Sequence, residues 1–255
     1  MPDPVIIERR DSIAVLTLNV PAKRNALGRE MSAMLTKLVE DLQSETAVRA
    51  LVVHGGAHFC AGGDLGGFGT SPLAMRAGMH AGARLIRALA GGRLPAVAAV
   101  EGNAYGAGFS IALACDFIVG DETTTFCAAF GRVGLVPDYA LPWSLPQRVG
   151  VAKARELMML CEPVRGTQAQ TMGLIDRFVP AGQVRETALS LATRLAAASP
   201  ATIATTKSLL SRAPLSLDTV LGWEADTQSM LALTEDFNEG VQAFMQKRNP
   251  TFKGK

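Results

Sequence analysis

With 255 residues, 48% hydrophobic and 19% charged, the chain can bury a substantial core, which excludes extended disorder. The formal net charge is +2 and Lys and Arg form no stripe, so nucleic-acid binding has no electrostatic footprint. Four cysteines (Cys60, Cys115, Cys127, Cys161) and three histidines (His54, His58, His80) lack paired ligand spacing, so no metal and a reduced, cytoplasmic setting are expected.

The chain opens Met-Pro-Asp-Pro-Val, with no basic leader and no apolar run before a cleavage site, so no secretory signal is expected. Apolar stretches such as residues 111–114 fall far short of the ~20 residues that cross a bilayer, so no membrane partner is expected either. Residues 13–19 alternate large apolar side chains as a half-buried strand does. The turn Pro21-Ala22-Lys23-Arg24-Asn25 leads into a helix whose Met31, Met34, Leu35, Leu38, Val39 and Leu42 share one face. Residues 50–53 read as a buried strand, and 54–70 as a loop. Ser71-Pro72 signals a helix start, and the helix carries Met75, Met79, Leu85, Ile86 and Leu89 on one side.

Residues 95–100 form a further buried strand, followed by a glycine turn, a helix at 109–115 and a strand at 116–120. Strands alternating with helices predict a layered α/β core. From residue 181 onward strand signals vanish, and helices are expected at 183–198, 201–212 and 217–247. The change of texture near Pro200 divides the chain into a core of residues 1–198 and a helical region of residues 199–255. Long amphipathic terminal helices of this kind commonly pack against another subunit.

Two glycine-rich turns carry the chemical signal: Cys60-Ala61-Gly62-Gly63-Asp64 and Tyr105-Gly106-Ala107-Gly108. Backbone N–H groups at a helix start have no intrahelical acceptor, and the helix dipole favours negative charge there. Two such turns can hold one developing oxyanion, at roughly 3–4 kcal/mol per donor. Glycines also serve simply to allow tight packing, and for either turn alone that use is somewhat commoner. A dinucleotide site fits poorly: Ile111 stands at the third glycine position, and no acidic residue closes a second strand about 20 residues on. No phosphate-loop GK[ST] and no G-x-S-x-G nucleophile turn occurs.

The segment His58-Phe59-Cys60-Ala61-Gly62-Gly63-Asp64-Leu65 resembles the first oxyanion motif of the enoyl-CoA hydratase/isomerase (crotonase) superfamily. Residues 95–116, with Gly102, Gly106-Ala107-Gly108 and Ala114-Cys115-Asp116, resemble its second. Pro21-Ala-Lys-Arg-Asn-Ala-Leu27 is similar to its early CoA-binding turn, and residues 239–252 to its C-terminal tail. The four segments follow in order over essentially the whole chain. The resemblance implies a spiral of β-β-α turns with C-terminal helices that assemble a homotrimer or homohexamer. It implies an acyl-CoA thioester as substrate, with no other cofactor.

Carried over by position, the two N–H donors belong to Gly63 and Ala107. The CoA ester is implied to lie near Ala22, Arg24, Ala26, Ala61, Gly62, Asp64 and Leu65, with Phe252 and Lys255 reaching it from the tail. Asp64 reads more as a structural acid capping the turn than as a catalyst. Hydratases of the family handle water with two glutamates, and here Ser110 and Phe130 occupy those positions on the substrate side. Neither can titrate near neutrality, so efficient hydration is not expected.

Residues 126–138 resemble instead the phenylacetate-pathway type of enoyl-CoA isomerase, in which an acid at the position of Asp138 acts. Moving a double bond needs one base, and an apolar setting lifts a carboxyl above its usual ~3.9 and improves it as a base. The family's two glycines after this acid are replaced by Ala140-Leu141, so the pocket wall is expected to differ. Three activities follow in order of preference: an enoyl-CoA isomerase with Asp138 as acid/base, an enoyl-CoA hydratase, and a non-catalytic acyl-CoA-binding homologue. Cys60 and Cys115 read as small buried hydrophobes, and Glu101 and His58 as neighbours of the turns without an assigned role.

Overall fold

The computed structural model describes residues 2–67 and 71–255. The end of the expected loop, residues 68–70, lies outside them. Strand β1 (Val5–Arg10) pairs antiparallel with β2 (Ile13–Leu18), and β2 matches the alternation read from the sequence. Strand β1 was not expected. It buries only Val5 and carries Glu8-Arg9-Arg10, as an edge strand facing water does. Helix α1 (Arg29–Ser44) buries Met31, Leu35, Val39 and Leu42 on one face, and leads to the wholly buried β3 (Ala50–His54).

Helix α2 (Pro72–Gly91) starts at Ser71, whose side chain accepts from the Ala74 N–H at 3.5 Å. Its predicted apolar face divides. Leu85, Ile86 and Leu89 are in the core, whereas Met75 and Met79 are only half-buried. Strand β4 (Ala96–Val100), the short β5 (Asn103–Tyr105) and helix α3 (Ala107–Ala114) follow, and every residue of α3 is buried. Strands β6 (Phe117–Gly120) and β7 (Thr125–Cys127) precede helix α4 (Leu141–Leu160). Helix α4 escapes sequence reading because Pro142 and Pro146 lie in it and Gly150 breaks it at φ 75°.

The chain continues through β8 (Val164–Arg165), α5 (Gly166–Thr171), β9 (Arg177–Phe178) and α6 (Val184–Ala196). Three further helices end it: α7 (Pro200–Leu210), α8 (Leu217–Leu231) and α9 (Glu235–Met245). The single helix expected over 217–247 is therefore two. Thr234 breaks it, its hydroxyl accepting the Phe237 N–H at 3.0 Å to cap α9.

Two sheets hold these elements: a six-stranded one in the order β1-β2-β3-β4-β6-β9, and a three-stranded one in the order β5-β7-β8. Successive β-β-α units give the first strand to the large sheet and the second to the small one, as β4 and β5, then β6 and β7, do. The chain thus winds as a spiral between two layers. The terminal helices are tied to this core by Lys207 of α7, a buried ammonium. It donates to Asp116 Oδ2 at 2.6 Å and to the Leu89 and Leu94 carbonyls at 2.7 and 2.8 Å. Asp116 Oδ2 also accepts the Ala96 N–H at 2.7 Å, so this buried pair is satisfied at both ends.

Candidate active site

The two glycine turns lie against each other because the chain extends the small sheet with the segment around Cys60. Cys60 N–H donates to the Asn103 carbonyl and Tyr105 N–H to the Cys60 carbonyl, both at 2.9 Å, a parallel bridge to β5. On the other side Leu27 N–H donates to the Gly62 carbonyl at 2.7 Å, and Asp64 N–H to the Leu27 carbonyl at 3.1 Å. This bridge engages the neighbours of Gly63, so the N–H of Gly63 itself points away from Leu27 and has no backbone acceptor among the described residues. Ala107 is the first residue of α3, so its N–H lacks an acceptor one turn back. Gly106 enters the helix at φ 50°, with its own N–H on the Cys127 carbonyl at 2.9 Å.

Close approach explains the glycines. A Cβ on Gly108 would stand 2.5 Å from the Cys60 carbonyl oxygen, and Gly62, at φ 99°, has its Cβ position 3.0 Å from the Tyr105 oxygen. A side chain at either position would drive the two glycine turns apart.

Around the turns is a cavity of about 150 Å³, lined among others by Ala61, Gly62, Gly63, Leu65, Ala107, Phe130 and Asp138. Among the described residues Asp138 is the one acid in its wall. Its Oδ1 is buried with no hydrogen-bond partner among them, and desolvation lifts the carboxyl from 3.8 to about 6. The carboxylate is therefore kept in an environment that favours taking up a proton. The Asp138 main chain is fixed from two sides. Its carbonyl accepts the Ser110 hydroxyl at 2.9 Å and the Leu141 N–H at 3.0 Å. Ser110, wholly buried, also approaches the Gly106 carbonyl at 3.3 Å, so one hydroxyl links the Ala107 turn to the Asp138 loop. It does not line the cavity. Of the two positions where the family has glycines, Ala140 is left-handed at φ 61° and Leu141 begins α4; Tyr139 before them is also left-handed at φ 49°, backbone that L residues rarely take. Asp138 faces the cavity all the same.

The other sequence candidates divide. Asp64 pairs with Lys23 at 2.6 Å, tying the early turn to the first oxyanion turn. The hydrogen bond from Lys23 is the main cause that holds its carboxyl below the ordinary value. Ala22 and Arg24 are exposed, Ala26 half-buried and Leu65 exposed at 55%, all in chain segments that the Leu27–Gly63 bridge draws together. Phe252 lies instead against Gly240 of α9, and Lys255 is exposed, with its carbonyl on the Asp236 N–H at 3.1 Å. Within one chain neither lines the cavity, nor do Glu101 and His58.

Burial pushes the Cys60 thiol up to about 11 and the Cys115 thiol up to about 12, so both are inert. Among the described residues no cluster of His, Cys, Asp or Glu can hold a metal, and no helix is long and apolar enough to cross a membrane.

Sequence reading passed over two residues. Asn25, 1% exposed, accepts the Val20 N–H at 2.8 Å and donates to the Gly55 and His58 carbonyls, pinning the early turn to the loop before Cys60. Its signal was the polar residue inside a motif assigned wholly to ligand binding. Tyr139, in the cavity wall, has no sequence signal beyond its place beside Asp138.

The architecture recurs in solved structures. A crystal structure of an enoyl-CoA hydratase from Polaromonas sp. JS666 superposes with TM-score 0.92 at 33% identity, covering 97% of this chain and 99% of the other. One from Bacillus anthracis gives 0.93 at 26% identity, covering 99% and 100%. This is the crotonase-like α/β fold with its C-terminal helical region. Residues 8–255 match the enoyl-CoA hydratase/isomerase family, and the chain belongs to it. Two Escherichia coli K12 relatives bracket its chemistry. The 2,3-dehydroadipyl-CoA hydratase is 34% identical over 98% of this chain and 99% of its own length. The 1,2-epoxyphenylacetyl-CoA isomerase is 33% identical over 95% of each. The protein is thus an acyl-CoA enzyme of this family, and identity alone does not choose between hydratase and isomerase.

Proposed function

We propose that the protein is an enoyl-CoA isomerase, nearest in its acid to the phenylacetate-pathway type, with Asp138 as the single acid/base and Gly63 and Ala107 as the oxyanion donors. The observation that carries this is the half-buried carboxylate of Asp138, its buried Oδ1 without a partner among the described residues, in the same cavity as both turns. The Asp138 carboxylate takes a proton from C2 of a 3-enoyl thioester. The C2–H electron pair forms a C1–C2 double bond and pushes the carbonyl π pair onto oxygen, giving a dienolate conjugated with the C3–C4 double bond, and the two N–H groups hold its oxygen. The proton on Asp138 then goes to C4, leaving the double bond conjugated between C2 and C3. One group performs both transfers, as a carboxyl lifted to about 6 can near neutral pH.

A hydratase is the second reading, favoured by the dehydroadipyl-CoA hydratase relative. Against it, Phe130 lines the cavity where a second acid would act on water, and Ser110 has its hydroxyl on two main-chain carbonyls. A non-catalytic acyl-CoA binder would leave the isolated Asp138 carboxylate without a use.

The CoA moiety is assigned to the surface of Ala22, Arg24, Ala26, Ala61 and Leu65. Phe252 and Lys255 are assigned to a neighbouring subunit's site in a homotrimer or homohexamer. Residues 199–255 act as the assembly region on a 1–198 core, and the four buried free thiols fit a cytoplasmic setting.

Proton exchange tests the assignment. With 3-enoyl-CoA esters in deuterated water, deuterium should enter both the α- and γ-carbons. Asp138→Asn should lose roughly a hundred- to ten-thousand-fold in turnover while still binding the ester. Wild-type turnover in Asp138→Asn refutes the base; hydration of crotonyl-CoA well above isomerisation favours the hydratase.

A further inference from the structure

Behind the Asp138 cavity, between α1 and α2, runs a second and larger cleft of about 410 Å³. Small residues of α2 (Ala74, Ala77, Gly78, Ala81) and Ala33 of α1 form much of its wall. Three side chains line both spaces, Leu27, Met79 and Tyr139, and so stand between them. Met79 is a flexible thioether that yields to a ligand. Leu27 is held by its backbone bridges to the oxyanion turn. Tyr139 has a large ring held in place by three separate constraints. Its hydroxyl is 3.1 Å from the Ser32 hydroxyl of α1. Its ring fills the space over Gly82 of α2, where a Cβ would come within 2.5 Å of Cζ and 2.7 Å of Oη. Its backbone is in the left-handed region at φ 49°, a conformation retained only where the surroundings enforce it.

We propose that Tyr139 is the specificity-determining residue of the acyl cavity: its ring closes the cavity off from the α1–α2 cleft and selects short or compact acyl thioesters. This rests on the reading that the Gly63–Ala107–Asp138 cavity takes an acyl thioester. A sealed space of about 150 Å³ holds a benzene ring, or about six carbons; the Asp138 cavity has that volume and opens to solvent, so an acyl group of about that size fits beneath the tyrosine ring. A longer chain meets the tyrosine ring before it reaches the cleft. The selection is steric, and the wall provides no charged group for an acyl tail to pair with beyond Asp138 itself.

Binding of saturated, unreactive esters tests this without catalysis. Dissociation constants for acetyl-, butyryl-, hexanoyl-, octanoyl-, decanoyl- and dodecanoyl-CoA are measured by calorimetry on the intact oligomer as isolated. In the wild type, affinity should rise by roughly fourfold per buried methylene and level off near hexanoyl. In Tyr139→Ala the rise should continue, with decanoyl-CoA bound about tenfold or more tighter than by the wild type. Tyr139→Phe keeps the ring and should follow the wild-type profile. Tyr139→Leu, a milder truncation should the alanine variant not fold, should move the plateau to a longer chain. A wild-type profile that climbs steadily to dodecanoyl, or a plateau unmoved in both truncations, overturns the proposal. Asp138→Asn should show the wild-type profile whether or not it turns over, so failure of the base assignment and failure of the gate are read separately.

Discussion

At the scale of single residues, function and stability oppose each other at Asp138. An ordinary aspartate has a value of 3.8, whereas burial puts this one at about 6 in the folded chain. Below both values the carboxyl is protonated in either state, and its burial carries no charge penalty. As pH rises from about 4 towards 6 the unfolded chain releases the proton first, so stability falls across that window and the full penalty holds above it. Replacement by Asn should therefore stabilise the protein at pH 8 and have little effect at pH 4. A pKa unit corresponds to about 1.4 kcal/mol, and partial solvation reduces the total, so a gain of ~1–3 kcal/mol is expected. Urea unfolding of wild type and Asp138→Asn at both pH values checks it; an equal difference at the two would mean that the carboxyl is not desolvated. Activity should show the same group, with kcat/KM rising with pH about a midpoint near 6.

At the scale of elements, the site depends on two turns that cannot separate. Cys60 is bridged to β5, and Leu27 to Gly63, so the first turn is a strand of the small sheet in all but length. Gly108 makes that stacking possible. Alanine there would place a methyl 2.5 Å from the Cys60 oxygen, against backbone that sheet bonds hold on both sides. Overpacking of this kind costs about 1–3 kcal/mol, and here it also displaces the Ala107 donor. Gly108→Ala should lose more turnover than its loss of thermal stability explains, measured as kcat beside the unfolding midpoint. An inactive-like collapse of both together, or no change in either, would show that the turns are not coupled. The sequence made the two turns legible because glycine marks positions that need close approach. It did not make legible the Ser110 hydroxyl bond to the Asp138 carbonyl, 28 residues on, which holds the main chain of the proposed base.

At the scale of the whole molecule, the proposed homotrimer or homohexamer makes a claim about the terminal helices. Leu217, Met230, Leu233, Phe244 and Met245 of the terminal region are 69–87% exposed. Large apolar side chains exposed on terminal helices are what the proposed assembly would cover. Light scattering should return three or six times the 26.8 kDa chain mass. A monomer at micromolar concentration would sink the trimer or hexamer, and with it the role given to Phe252 and Lys255.

Composition, the strand and helix periodicities and the glycine turns are local properties, so the sequence alone determined an α/β core, the terminal helices and the two glycine turns. It missed β1 because an edge strand carries charge, α4 because prolines and Gly150 interrupt its pattern, and the break at Thr234 because capping depends on one hydroxyl. Tertiary structure alone decided that Asp138 turns inward and stays unpaired, despite lacking the expected glycines after it. It also decided that Tyr139 stands between two spaces. Burial and partner count belong to the packed interior, and neither is written in the identity of the residue that undergoes them.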